Sequence, residues 1–360
     1  MEEVDLQEKK ITVELIFQGL FEDTFSKKLL FLVKTNENLA EYNKFRSSQD
    51  FLYLRSQMLK KWVCFLIPSI PKLSYSILKP LSDISIKHKS KFLQEFLNSC
   101  IAIPEIFNCS DLQLFLKGPE NYIENSKQIK IDYKEVYAKL SYREKDPPNV
   151  LIDLDCIVNK AEHLKTCLSE LKTMKPKVKN LCEVFLTLQE NQKLTFSLFE
   201  RVEQTYLERL GERDKCDFDL FGNGTDPYSL IQDWVTRECY SMRSILEEID
   251  KFLELHKATE SIRRKIDKKK DVLRSLECGK RPISAMFSSK PNNEIVFKSN
   301  AELTELESQI KSLNQLQVLL YLHLVTKTFP DLNDNHVAKY KACMESFSLS
   351  LISAFASPLS

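Results

Sequence analysis

The chain has 360 residues, of which 43% are hydrophobic and 29% charged, enough for two or three domains with real cores. Its 52 Lys and Arg cancel its 51 Asp and Glu, so bulk charge marks neither a nucleic-acid binder nor a membrane binder, and any such role needs a local patch. Only 6 residues are glycine, and neither GxGxxG nor GxxxxGK[ST] occurs, which argues against a nucleotide-binding enzyme.

In chain order, "ITVELIF", "KKLLFLVKT" and "AEYNKFRS" read as three strands. "DFLYLRSQMLKKW" reads as a helix beginning at Asp50-Phe51, directly after a polar corner. "IPSIPKLSYSILKPL" is punctuated by proline and extended. "KSKFLQEFLNSC" and "SDLQLFL" are helices. Three strands followed by helices predict a small α+β domain over residues 1–118. A linker over 119–149 carries the amphipathic stretch "KQIKIDYKEVYAKLSYRE". There Ile129, Tyr133, Val136 and Leu140 share one face and Lys127, Lys130 and Lys134 lie on another. Such a face suits a lipid leaflet or a protein core equally.

Residues 150–360 follow another pattern. Ile157, Ala161, Leu164, Leu168 and Leu171 are spaced 4, 3, 4, 3. Met242, Ile245, Ile249, Phe252 and His256 repeat that spacing, and Leu303, Leu306, Ile310 and Leu313 do so again. These stripes predict three helices, each about 70 to 95 Å long at 1.5 Å per residue, in an all-α coiled coil that completes its core by dimerising. Pro176 bends the first helix, and Pro330 marks a short break in the third.

The strongest local charge is "SIRRKIDKKKDVLRSLECGKR", at the far end of the second helix. Arg263, Arg264, Lys265, Lys268, Lys269, Lys270, Arg274, Lys280 and Arg281 outweigh Asp267, Asp271 and Glu277, a net of +6. Anionic headgroups attract such segments by roughly 1 kcal/mol per basic residue near the surface. Nucleic acid is not expected as a partner, because no aromatic residues are interleaved for stacking. The alternative is a solvated charged helix face.

Ten cysteines are scattered without a CxxC pair. His163 and Cys167 stand at i,i+4, but two further zinc ligands are missing nearby, so neither metal nor cofactor is expected. No apolar run reaches the roughly 18 residues of a spanning helix, and "MEEVDLQEKK" does not read as a signal peptide. A cytosolic protein with reduced thiols is expected, with the Asn223-Gly224-Thr225 sequon unused. No catalytic constellation stands out, and no enzyme is predicted.

The ordered set resembles a known family. "FLQEFLNSCIAIPEIFNCSDLQLFL" resembles the C-terminal helices of a PX domain, "IPSIPKL" its proline loop, and "SQDFLYLRSQML" its strand-to-helix junction. "KPNNEIVFKSNAELTELESQI" is similar to the second tip and third-helix start of a BAR module, and "NDNHVAKYKACMESFSLSLISAF" to its closing segment. From about Ile11 to Phe355 the chain resembles the PX-BAR sorting nexins. The resemblance implies an N-terminal PX-like domain followed by a BAR-type three-helix coiled coil. It also implies a non-catalytic adaptor of endosomal sorting, cytoplasmic and peripheral on endosomal membranes, that binds phosphoinositide or anionic lipid. The protein would act as a homodimer, or as a heterodimer with another sorting nexin.

The family corner reads Arg-Arg-Tyr-x-Asp-Phe, with the second arginine forking onto the 3-phosphate. Aligned on Asp50-Phe51, that arginine and the tyrosine fall on Ser47 and Ser48, and the first arginine on Arg46. Lys72 in the proline loop and Lys89 ahead of Leu93 match two further basic positions. A slip of one residue, or a bulge, would bring Arg46 into the pocket. The competing reading is a soluble coiled-coil scaffold whose PX-like domain binds only protein.

Overall fold

A computed structural model describes residues 11–23, 26–37, 40–62, 65–72, 83–126, 150–210, 226–278 and 292–355. Their contacts fall into two units, Met1–Asp153 with Glu247–Leu324, and Leu154–Leu246 with Val325–Ser360.

The first unit opens with an antiparallel sheet of order β1-β2-β3: β1 (Ile11–Asp23), β2 (Ser26–Glu37) and β3 (Ala40–Ser47). In β1 the pairing shifts between Phe17 and Gly19, and Gly19 adopts φ 133°, a bulge conformation that a side chain would resist. The pairing of β3 with β2 runs unbroken from Ala40↔Glu37 to Ser47↔Leu30. The bulge that would re-aim Arg46 is therefore absent from this strand.

Helices α1 (Ser48–Lys61), α2 (Asp83–Ile101), α3 (Pro104–Phe107), α4 (Ser110–Lys117) and α5 (Tyr122–Asn125) cover the sheet. Edge-on aromatic pairs cross the core from β1 to α5: Phe17–Phe31, Phe31–Phe51, Phe51–Phe115 and Phe115–Tyr122, with centroids 5.0 to 5.7 Å apart. Such pairs add about 0.5–1.5 kcal/mol each beyond the area they bury. Tyr122 lies past the break expected at Gly118, yet it is fully buried in this core.

The remaining helices are α6 (Leu154–Leu210, 57 residues), α7 (Pro227–Glu277, 51 residues), α8 (Asn292–His323) and α9 (Phe329–Phe355). The first two heptad stripes point inward, with Ile157, Leu164, Ile245, Ile249 and Phe252 buried, while in the third only Leu313 is buried and Leu303, Leu306 and Ile310 are half-buried. Pro176 is accommodated inside α6. Pro330 is the second residue of α9, directly after a π-helical turn at Leu324–Thr328. Proline offers no N–H to the carbonyl four residues back, and the widened turn contains that residue, Thr326.

In the first unit, α7 and α8 run antiparallel. Glu248 bonds His323 at 2.7 Å, His256 bonds Gln317 at 2.9 Å, and Lys269 pairs with Glu302. Among the described residues, no helix is long and apolar enough to cross a membrane.

Candidate functional site

The corner between β3 and α1 is a helix N-terminus, the usual place to hold an anion. Here the place is taken. Ser47 is the N-cap, and its hydroxyl accepts from the Asp50 N–H at 3.3 Å. The Asp50 carboxylate accepts from the Ser47 N–H at 2.7 Å and from the Ser47 hydroxyl at 2.9 Å. This capping box satisfies the orphan donors reciprocally and puts a negative charge in the first turn. A phosphate arriving at the helix end would meet that carboxylate.

Arg46 is fully buried, and its donors turn into the fold. Its Nε–H donates to the Phe115 carbonyl at 2.7 Å. One terminal nitrogen donates to the carbonyls of Phe45 and Pro119 at 2.9 Å and of Glu120 at 3.4 Å. The other donates to the carbonyls of Gly118 at 3.1 Å and Leu114 at 3.2 Å. Five N–H groups thus meet six carbonyls, and no donor is left to fork onto a phosphate. The guanidinium carbon also lies 5.4 Å from the Phe115 ring centroid and 5.7 Å from that of Tyr122.

The arrangement has a clear physical basis. The last carbonyls of α4 run out of intrahelical donors, Leu114 being met by the Gly118 N–H at 2.8 Å, and the helix end carries partial negative charge. A buried cation placed there satisfies both. Burial pushes the Arg46 pKa down, with Asp50 the first group opposing the shift. Gly118 permits the close approach, since a Cβ there would stand 2.4 Å from the Leu114 carbonyl oxygen.

The other two cations chosen from sequence are not gathered beside Arg46. Lys89, on α2, donates to the Lys72 carbonyl at 2.8 Å, and the Lys72 side chain is exposed. A cavity of about 360 Å³ does open at the corner, but Asp50, Glu120 and Glu124 line it against the single cation Lys28. Its charge is wrong for a phosphate.

Sequence reasoning missed Arg55. On α1 it donates Nε–H to the Pro68 carbonyl at 2.7 Å and pairs with the Glu247 carboxylate, fastening the proline loop and the start of the α7 segment in this unit. One signal was readable: its i±3 and i±4 neighbours Phe51, Leu52, Met58 and Leu59 offer no counter-charge, so the partner had to come from elsewhere.

The basic end of α7 is partly compensated. Lys269 pairs with Glu302, and Lys270 with Glu307 at 3.0 Å, both across to α8. Lys269 holds the Glu302 carboxyl below the usual carboxylate range. Arg263 pairs with Glu260, and Arg274 with Asp271 at 3.6 Å, both along α7. Arg264, Lys265 and Lys268 are exposed and form no ion pair among the described residues. Lys265 and Lys268 line a groove of about 450 Å³ with Glu302, Glu305 and Leu306. Lys280 and Arg281 lie outside the described residues, as do Ile129, Tyr133, Val136 and Leu140 of the linker.

Known proteins add two findings. Residues 34–119 match the family model of the PX domain, so the N-terminal α+β module is of PX type. Among solved structures, the chain resembles "The cryo-EM structure of the SNX-BAR Mvp1 tetramer" at 15% identity and TM-score 0.48, covering 94% of this chain and 98% of that one. At that TM-score the similarity does not by itself establish a shared fold. No curated protein matches the sequence.

Proposed function

We propose that the chain is a PX-BAR sorting nexin: a non-catalytic adaptor of endosomal sorting, cytoplasmic and peripheral on endosomal membranes. In this reading its membrane affinity comes from the end of α7 and not from the PX corner. The observation that carries it is the exposed, unpaired trio Arg264, Lys265 and Lys268 on a protein whose PX corner has spent its arginine. Three cations near an anionic surface gain roughly 1 kcal/mol each, which two copies of the chain would double.

A second copy is the partner that the helical unit suits. Leu181, Val184 and Leu188 of α6 are exposed, as are Val337, Tyr340 and Ile352 of α9. Apolar rows of this kind mark interaction surfaces. The partner is another copy of the chain or another sorting nexin.

Sedimentation with phosphatidylserine vesicles over a salt series tests the reading. The protein should bind at low salt and release as ionic strength rises, since a Debye length of about 10 Å at 0.1 M screens exposed charge. Changing Arg264, Lys265 and Lys268 to Glu should abolish binding without altering the dimer mass in light scattering. Equal binding by the parent and the triple variant would overturn the reading. The acidic lining of the corner favours a second reading, a scaffold whose PX-type module docks protein; the parent would then bind no vesicles at any salt.

A further inference from the structure

Phe297 stands out near the start of α8. It is 79% exposed, although a phenyl ring is among the side chains most often withdrawn from water. Among the described residues, its neighbours on the same helix face are Asn300, Ala301 and Thr304. A partner helix needs an apolar row at i, i+3, i+4 and i+7, and among the described residues Asn300 and Thr304 interrupt it. There the ring is the one large apolar group of its face.

Its surroundings are cationic. The rungs Glu248–His323, His256–Gln317 and Lys269–Glu302 set the antiparallel register of α7 and α8. Five residues on from Lys269 and five back from Glu302, Arg274 and Phe297 stand at the same height along the helix pair, each turned about 140° from its paired face at roughly 100° per residue. Lys298 follows directly, and the side chains of Arg274 and Lys298 are 76% and 74% exposed. Their contacts to Asp271 and Glu302 are long and exposed, and such pairs leave a cation largely available. The unpaired Lys268, Lys265 and Arg264 lie six to ten residues back along α7, about 9 to 15 Å at 1.5 Å per residue. One exposed ring flanked by cations is chemistry for a lipid surface: the ring reaches the acyl boundary while the cations stay among headgroups.

We propose that Phe297 is a membrane anchor that inserts into an anionic leaflet, with Lys298 next to it in the chain and Arg274 at the same height along the helix pair. The inference rests on the membrane reading above and deepens it by naming a contact that salt does not screen. Two variants of the full chain test it. Phe297→Ser should weaken binding to phosphatidylserine vesicles about tenfold, as expected for losing a buried phenyl group, and by the same factor at every salt concentration. Charge reversal of the trio should instead flatten or abolish the salt-dependent part.

Phe297→Trp supplies a position-specific readout, with the parent's Trp62 and Trp234 emission as baseline. The added emission should shift to shorter wavelength on vesicles and be quenched by lipids brominated on their acyl chains. If the variant sediments with vesicles but the added emission is unquenched, the inference falls and the membrane reading stands. If neither parent nor variant sediments, both fall. A change in oligomer mass with Phe297→Ser at unchanged vesicle binding would assign the ring to a protein contact and overturn the proposal.

Discussion

Two cationic regions of this chain use the same side-chain chemistry in opposite ways. At the PX corner, Arg46 turns inward and gives its donors to the Phe45 carbonyl and to carbonyls at the end of α4 and beyond. At the end of α7, Arg264, Lys265 and Lys268 are exposed and meet no partner among the described residues. A basic residue in the right motif place is therefore not yet a ligand-binding group. What decides is whether its donors are already committed within the fold.

That contrast can be broken by mutation, and the largest effect belongs to the buried side. Arg46→Ala strands carbonyls at the end of α4, so the PX-type module should lose about 3–5 kcal/mol, read as a lower midpoint in urea unfolding. Arg46→Lys should recover little, because an ammonium cannot reach the same set of carbonyls. A stable Arg46→Ala protein would show that the carbonyl cradle contributes nothing.

The next effect sharpens the exposed side. Reversing charge at Arg264, Lys265 and Lys268 should reduce vesicle binding far more than reversing Lys269 and Lys270, whose charge is already met by Glu302 and Glu307. Equal losses from the two sets would mean that pairing does not matter and only total charge counts.

Gly118→Ala should cost about 1–3 kcal/mol, because its Cβ would press on the Leu114 carbonyl that Arg46 also uses. Ser47→Ala removes one half of the capping box and should cost about 1 kcal/mol. The smallest effect is chemical. Burial pushes the Cys182 thiol up to about 12 and the Cys100 thiol further still, so neither forms thiolate near pH 8. Alkylation there should label the exposed Cys156 and Cys278 before Cys100 and Cys182. Early labelling of Cys100 would reveal an opened core.

Much of the fold was legible in the sequence because it follows from local period. β3 begins and ends with "AEYNKFRS", and Ile245, Ile249 and Phe252 are buried as their heptad spacing requires. The start of α1 was legible to within two residues, with Ser47 and Asp50 forming its cap. The direction of Arg46 was not. Alternation along a strand says which residues share a face, but the carbonyls that meet Arg46 lie 68 to 74 residues away, apart from that of neighbouring Phe45. The basic segment was visible as a count of charges. Its partial neutralisation was not, because Glu302 and Glu307 approach only once α7 and α8 are set antiparallel.

The central claim is that the corner reads no 3-phosphate while exposed cations at the end of α7 supply membrane affinity. Its most direct test is binding to two vesicle populations of equal surface charge, one carrying phosphatidylinositol 3-phosphate and the other only phosphatidylserine. The account predicts the same affinity for both. A marked preference for the 3-phosphate vesicles, retained when Arg264, Lys265 and Lys268 are changed to Glu, would contradict it.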